Sequence, residues 1–236
     1  MDCRPFFFKK FALFHHRSTM KIGTDAILLA RWVDVNENDD VLDIGTGCGL
    51  IPLMLAQKGI KRADAVEIHR DSYEEAAQNF SNSAWKSQLF AVNDDIRRYA
   101  ETCAKRYDLI VSNPPFFFGD NIPEKATKGL ARHTNTLSYN DLLKAVKKLL
   151  KPEGRFALVL PARESKTFLQ DAENQGFYLQ KEMKIVPIEG KETNRVNIQL
   201  VVNQVDNVET ETFVLRNPDH SFTKYYKDFL KDYYLD

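Results

Sequence analysis

From Asp40 onward the chain alternates short apolar runs with longer amphipathic ones. Residues 41–44, 63–68, 89–92, 109–111 and 156–160 read as strands, and 50–58, 71–80, 96–104, 139–150 and 164–174 as the helices between and after them. Such alternation implies right-handed βαβ units, hence an α/β fold with a doubly wound, mostly parallel sheet covered on both faces. Past Gly176 the pattern changes: 178–187 and 195–203 both read as strands, and the polar turn 188–194 holds no helix. That pair predicts an antiparallel hairpin closing one sheet edge. Residues 212–215 suggest one more short strand and 222–234 a terminal helix with a Tyr/Phe-rich face, while residues 20–32 form an amphipathic helix ahead of the first strand, with Thr24 as its cap.

The 236 residues suit one domain, 1–236, with a basic, aromatic N-terminal segment and helix over 1–35 and a core over 36–236 that ends in the C-terminal helix. Its 33 basic and 33 acidic residues cancel, so any site for a polyanion is local. Cys3, Cys48 and Cys103 are odd in number and widely spaced, which speaks for free thiols and a reducing, cytoplasmic setting. No stretch has the apolar length of a signal peptide core or a spanning helix, and nothing in the chain demands more than a monomer.

Val41-Leu42-Asp43-Ile44 feeds Gly45-Thr46-Gly47-Cys48-Gly49, which opens a helix. Glycines there permit positive φ and let backbone approach a ligand at a helix N-terminus. The dinucleotide fingerprint fails, because Leu50 stands where its third glycine belongs. Glu67 ends the second strand about 20 residues on, where a carboxylate can accept both hydroxyls of a ribose. Asp94 and Asp95 follow the third strand, placed to accept an adenine amino group. In this order the elements resemble the class I S-adenosylmethionine-dependent methyltransferases. The resemblance implies a Rossmann-like, seven-stranded sheet with S-adenosyl-L-methionine as cofactor. It lays Gly45, Gly47 and Gly49 along the methionine and ribose, puts Glu67 on the ribose and Asp95 near the adenine, and adds Asp43, Asp94 and Asn113 to the cofactor set.

Ser112-Asn113-Pro114-Pro115-Phe116-Phe117-Phe118 ends the fourth strand, which in that fold neighbours the first. Two prolines make a stiff loop whose carbonyls stay available as acceptors, and the Asn113 amide oxygen is another. The Asn113 oxygen and the Pro114 carbonyl suit a planar, weakly nucleophilic amino group, whose two N–H groups they can hold while charge builds on nitrogen. Phe116 would stack on the flat ring, worth roughly 1–3 kcal/mol. The tetrapeptide matches the N-P-P-[FY] motif of methyltransferases acting on adenine or guanine amino groups or on a glutamine amide, which makes Asn113, Pro114 and Phe116 the catalytic residues. Phe117 and Phe118 are as readily core as substrate contacts.

Met20-Lys21-Ile22-Gly23-Thr24-Asp25 through Trp32 is similar to the M-K-[VI]-G-T-D-x-x-L-L-x-x-W segment of the bacterial tRNA1(Val) (adenine(37)-N6)-methyltransferase family. So are Phe8-Lys9-Lys10-Phe11, the turn from Gly190 to Val196 and the closing stretch from Tyr225 to Leu235; Ala30 departs from that family's usual glycine. The resemblance implies methyl transfer to N6 of adenosine 37, beside the anticodon of a valine tRNA. Asp25 reads equally as a contact of the cofactor's methionine end or as a helix-start carboxylate. Arg4, Lys9, Lys10, Arg17 and Lys21 interleave with Phe6, Phe7, Phe8, Phe11 and Phe14, a pattern suited to phosphates and stacked bases, although some of these rings belong in the core. Lys125, Lys128, Arg132 and His133 would extend the strip, and for each basic residue a solvated surface is an equal reading. His15, His16 and His133 have no partners at metal-ligand spacing, so no metal is assigned. Rival readings are guanine N2 in ribosomal RNA, a protein glutamine amide, for which the roughly 40 residues ahead of the glycine loop leave no room for the usual helical domain, and a catalytically silent RNA-binding protein.

Overall fold

The structure, a computed structural model, describes residues 4–114 and 137–235. Cys3, Pro115, Phe116, Phe117, Phe118, Lys125, Lys128, Arg132 and His133 lie outside the described residues.

A two-stranded ribbon, β1 (Phe6–Phe7) and β2 (Ala12–Leu13), leads to α1 (Thr24–Trp32). Strand and helix then alternate through β3 (Asp40–Ile44), α2 (Leu50–Lys58), β4 (Arg62–Glu67), α3 (Arg70–Ser81), β5 (Leu89–Asn93), α4 (Ile96–Thr102) and β6 (Tyr107–Ser112). After the gap come α5 (Tyr139–Leu149), β7 (Leu150–Pro161), α6 (Ala162–Asn174), β8 (Tyr178–Val186), β9 (Arg195–Val201), β10 (Glu209–Val214) and α7 (Lys224–Leu230).

One sheet runs β10-β8-β9-β7-β6-β3-β4-β5. The strands β3 to β7 are mutually parallel, and β9 alone runs against its neighbours β7 and β8. Because side chains alternate along a strand, Val41 packs on one face with α1, α2 and α3, and Leu42 and Ile44 on the other with α4, α5 and α6. Burial on both faces explains why the central strands read as unbroken apolar runs.

Two sequence expectations change. The hairpin β8–β9 does not close the sheet: β10 pairs parallel to β8 and makes the sheet eight-stranded. Its signal is weak because Glu209, Thr210, Glu211 and Thr212 are exposed, as suits an edge, and Phe213 alone is fully buried, against Tyr225, Tyr226 and Phe229. Thr24 does not cap α1; Gly23 is the capping residue and makes no side-chain cap bond. The N-terminal ribbon packs through Phe8 and Phe11, both buried, whereas Phe7 is 57% exposed. Among the described residues no helix is long and apolar enough to cross a membrane.

The register fixes the site. Ile44 lies opposite both Val66 and Ser112, and Glu67 opposite Asn93, so the glycine loop, Glu67, Asp94, Asp95 and Asn113 all emerge from one edge, at the carboxyl ends of parallel strands.

Candidate active site

The chain leaves β3 and turns back at once. Gly45 N and Thr46 N donate to Val66 O at 2.9 and 3.2 Å, and Gly49 N donates to Thr46 O at 2.9 Å. Gly45, Gly47 and Gly49 have φ of +73°, +56° and +85°, the left-handed region that side chains resist. At Gly49 space is decisive as well, since a Cβ would stand 2.5 Å from the Phe80 ring. Gly49 also caps α2, so the loop runs straight into that helix's N-terminus.

Glu67 is buried and its carboxylate braces the loop, with Oε2 accepting Gly47 N at 2.9 Å and Oε1 accepting His69 N at 2.8 Å. Each oxygen keeps a lone pair for a further donor. Beside it Ile68 is 45% exposed, an apolar surface at the lip of the crevice.

Asp43 points into the same wall and is fully buried, and neither carboxylate oxygen has a hydrogen-bond partner among the described residues. Burial pushes its carboxyl up to about 7; the Thr46 hydroxyl opposes this without reaching hydrogen-bond geometry, and the Glu67 charge adds to the rise. A carboxylate left this way beside a backbone cradle is a site for a cation or a strong donor.

Asp95 caps α4: its Oδ1 accepts Arg97 N at 2.9 Å, and both oxygens take the Arg97 guanidinium, which holds its carboxyl below the usual range. Asp94 pairs with Arg98, Nε to Oδ1 at 2.6 Å. These two carboxylates reach the crevice rim already engaged.

Across the crevice, Ser112 Oγ donates to Ile44 O at 2.9 Å and ties the end of β6 to β3. Asn113 follows, half-buried, with its Oδ1 buried and unpartnered among the described residues, and Pro114 is buried next to it. The structure thus brings Asn113 and the glycine loop to adjacent strand ends, as the sequence implied.

The N-terminal residues divide. Lys9 and Lys10 are exposed beside the ribbon. Arg17 instead reaches α3, with Nη2 to Gln78 Oε1 at 2.9 Å and Nη1 to Glu74 at 3.6 Å, so it is an anchor of this segment. Asp25 pairs with Arg195, at the start of β9, Nε to Oδ2 at 2.9 Å. Sequence reasoning missed Arg195 and the polar buried face of α3, formed by Ser72, Glu75 and Asn79. The available signal was polar residues standing at the helical spacing of Ala76 and Phe80, where apolar ones are expected. Two clefts of about 410 and 400 Å³ lie elsewhere, around Arg31 and Asp34 at the end of α1, and of the candidate site residues above Lys10 alone lines one of them.

A family model described as methyltransferase small domain matches residues 10–177. A solved structure from Agrobacterium tumefaciens, described as a predicted O-methyltransferase, superposes with a TM-score of 0.70 at 16% identity, covering 89% of this chain and 96% of its own. The sheet with its glycine loop is therefore that of a class I methyltransferase, whose methyl donor is S-adenosylmethionine. A tRNA1(Val) (adenine(37)-N6)-methyltransferase of Trichodesmium erythraeum is 39% identical over 238 residues, 100% of this chain and 99% of its own. Its counterpart in Tolumonas auensis is 37% identical over 238 residues, 100% and 98% of the two chains. The chain belongs to the tRNA1(Val) (adenine(37)-N6)-methyltransferase family.

Proposed function

We infer that the protein methylates N6 of adenosine 37 in the anticodon loop of valine tRNA, in the cytoplasm, acting as one domain with an RNA-facing segment over 1–35 and a catalytic core over 36–236. The observation that carries this reading is the Asn113 amide, whose buried Oδ1 lacks a partner among the described residues, at the end of the strand next to the glycine loop. A buried acceptor without a donor costs about 1–3 kcal/mol, and an exocyclic amino group supplies the missing N–H.

The residues present fit the cofactor. The unpartnered Asp43 carboxylate matches the ammonium of its methionine part, and the remaining lone pairs of Glu67 match the two ribose hydroxyls. Gly45, Gly47 and Gly49 leave the backbone bare along the chain between them, with Asp94 and Asp95 at the adenine end. When bound, S-adenosylmethionine supplies an electrophilic methyl group on a sulfonium. Asn113 Oδ1 and the Pro114 carbonyl would accept from the two N–H groups of the target N6, aim its lone pair along the transfer line and stabilise the charge that builds on nitrogen, one of those protons being lost to solvent as the methyl group is gained. Phe116 stacks on the extruded adenine, with Phe117 beside it. Lys9, Lys10, Lys128 and Arg132 hold phosphates of the anticodon arm, while Arg17 fixes the segment that carries the first two. A loop base costs less to extrude than one in a duplex.

The test is incubation of the protein with S-adenosylmethionine and unmodified valine tRNA, then digestion and mass spectrometry. N6-methyladenosine at position 37 is expected; a methylated guanosine, or no RNA product, would overturn the reading.

A further inference from the structure

Three polar side chains on α3, Ser72, Glu75 and Asn79, are 0–1% exposed and take no part in the reaction described above. All three turn toward residues 14–19. Asn79 Oδ1 accepts Phe14 N at 2.9 Å, and its Nδ2 donates both to Phe14 O and to Cys48 O, each at 2.8 Å. Cys48 sits between Gly47 and Gly49, so one amide bonds the N-terminal segment and the glycine loop together. Glu75 accepts Arg17 N at 2.9 Å, Ser18 N at 2.8 Å and Ser18 Oγ at 2.6 Å, with His16 Nδ1 3.5 Å away. Ser72 Oγ accepts Thr19 N at 3.3 Å.

The path of the next residues follows from the sheet order. α3 packs over β4 and β5, whereas Asp25, six residues past Thr19, pairs with Arg195 of β9, which lies opposite Pro161 at the carboxyl edge. From β4 to β9 is four strand spacings, about 19 Å. Residues 16–20 form bends and Thr24 and Asp25 already belong to α1, so the Arg195 side chain spans part of that distance. The segment is a strap whose start, Phe14, shares the Asn79 amide with Cys48 O of the glycine loop.

We propose that Glu75 and Asn79 are positioning residues: they fasten this strap to α3, and through Cys48 O to the glycine loop, so that the strap forms one wall of the cofactor crevice and cofactor affinity depends on it. This rests on the reading of that crevice as the S-adenosylmethionine site. Neither side chain need touch the cofactor, because a full set of charge-assisted and amide bonds fixes the backbone that does.

The experiment compares the full-length protein with its Asn79→Asp, Glu75→Gln and Ser18→Ala variants. Calorimetry gives the affinity for S-adenosylhomocysteine, turnover on valine tRNA gives kcat, and hydrogen exchange reports the amides of Phe14, Arg17 and Ser18. Asn79→Asp keeps the acceptor for Phe14 N and removes both donations. It is expected to weaken S-adenosylhomocysteine about tenfold while the Phe14 amide stays bonded, with kcat at saturating cofactor within about threefold. Both Glu75→Gln and Ser18→Ala leave Cys48 O bonded: the first turns one acceptor oxygen into a donor and should free one of the Arg17 and Ser18 amides, the second removes the hydroxyl bond alone, and each should weaken the cofactor by up to about threefold. Ser18→Ala deletes one hydroxyl on the strap itself and keeps the test open should either α3 variant fold poorly. Freed strap amides with unchanged affinity would overturn the proposal, since the strap would then be a tether alone. Absence of any S-adenosylhomocysteine binding by the unmodified protein would overturn both the proposal and the reading beneath it.

Discussion

Asp25 and Arg195 stand 170 positions apart in the chain and form an ion pair, Nε to Oδ2 at 2.9 Å, that joins the start of α1 to the start of β9. Both side chains are about one-third exposed, so solvent screens the pair. Asp25→Asn is expected to cost about 0.5–1 kcal/mol, a few degrees in thermal melting, and to leave S-adenosylhomocysteine affinity within about twofold. A tenfold loss of affinity in calorimetry would instead put Asp25 on the cofactor.

Asn113→Ala removes the acceptor assigned to the target amine. The expected result is a fall in kcat of about 100-fold or more with cofactor affinity changed by less than about threefold. Equal losses in the two measurements would contradict that role.

Asp43 links pH to stability. Its carboxyl ionises near 3.8 in the unfolded chain and at about 7 in the fold, so between these values the folded form holds a proton that the unfolded form has lost. The group therefore lowers stability progressively as pH rises from about 4 to 7, and the penalty is complete above 7, up to about 4 kcal/mol. Urea unfolding without cofactor should show Asp43→Asn gaining on the wild type by a few kcal/mol between about pH 4 and pH 8. The variant should also bind cofactor more weakly, having lost the charge for its ammonium.

Gly47 and Gly49 should part company. Gly47→Ala meets open space and only the strain of positive φ, about 1–2 kcal/mol, and is expected to fold while losing cofactor affinity. Gly49→Ala drives a methyl into the Phe80 ring at φ +85° and should destabilise by roughly twice that or more, visible as a clear drop in melting temperature.

On the RNA side, Lys9→Glu with Lys10→Glu should weaken valine tRNA binding about tenfold at fixed salt and reduce the salt slope, with cofactor affinity intact. Phe7→Ser, at an exposed ring, should cost up to about 1–3 kcal/mol if a base stacks there. Unchanged tRNA affinity in gel-shift titration would return this segment to ordinary surface.

The α/β alternation was legible because central parallel strands are buried on both faces, so 41–44 and 109–111 had to be apolar runs whatever surrounded them. The glycine loop was legible for a related reason, since backbone that must adopt positive φ leaves little choice of residue, and Glu67 and Asn113 stand at the strand ends where the sequence placed them. The outer strand β10 was legible only in its second half, as 212–215, since a solvated edge tolerates Glu and Thr and only Phe213 marks its inner face. Pairing was hidden too. Nothing local says that Asp25 meets Arg195, or that Phe8 and Phe11 are core while Phe7 faces out.

The sequence by itself determined the doubly wound class, the order of its elements and the residue types at the ends of β3, β4 and β6. Those follow from periodicity and from local backbone chemistry. Only the tertiary structure decided that Asp43 and Asn113 stand unpartnered among the described residues and that Glu75 and Asn79 seize a strap some 60 positions away. A hydrogen bond depends on distance in space, and the chain closes that distance only when its two layers of helices pack onto one sheet.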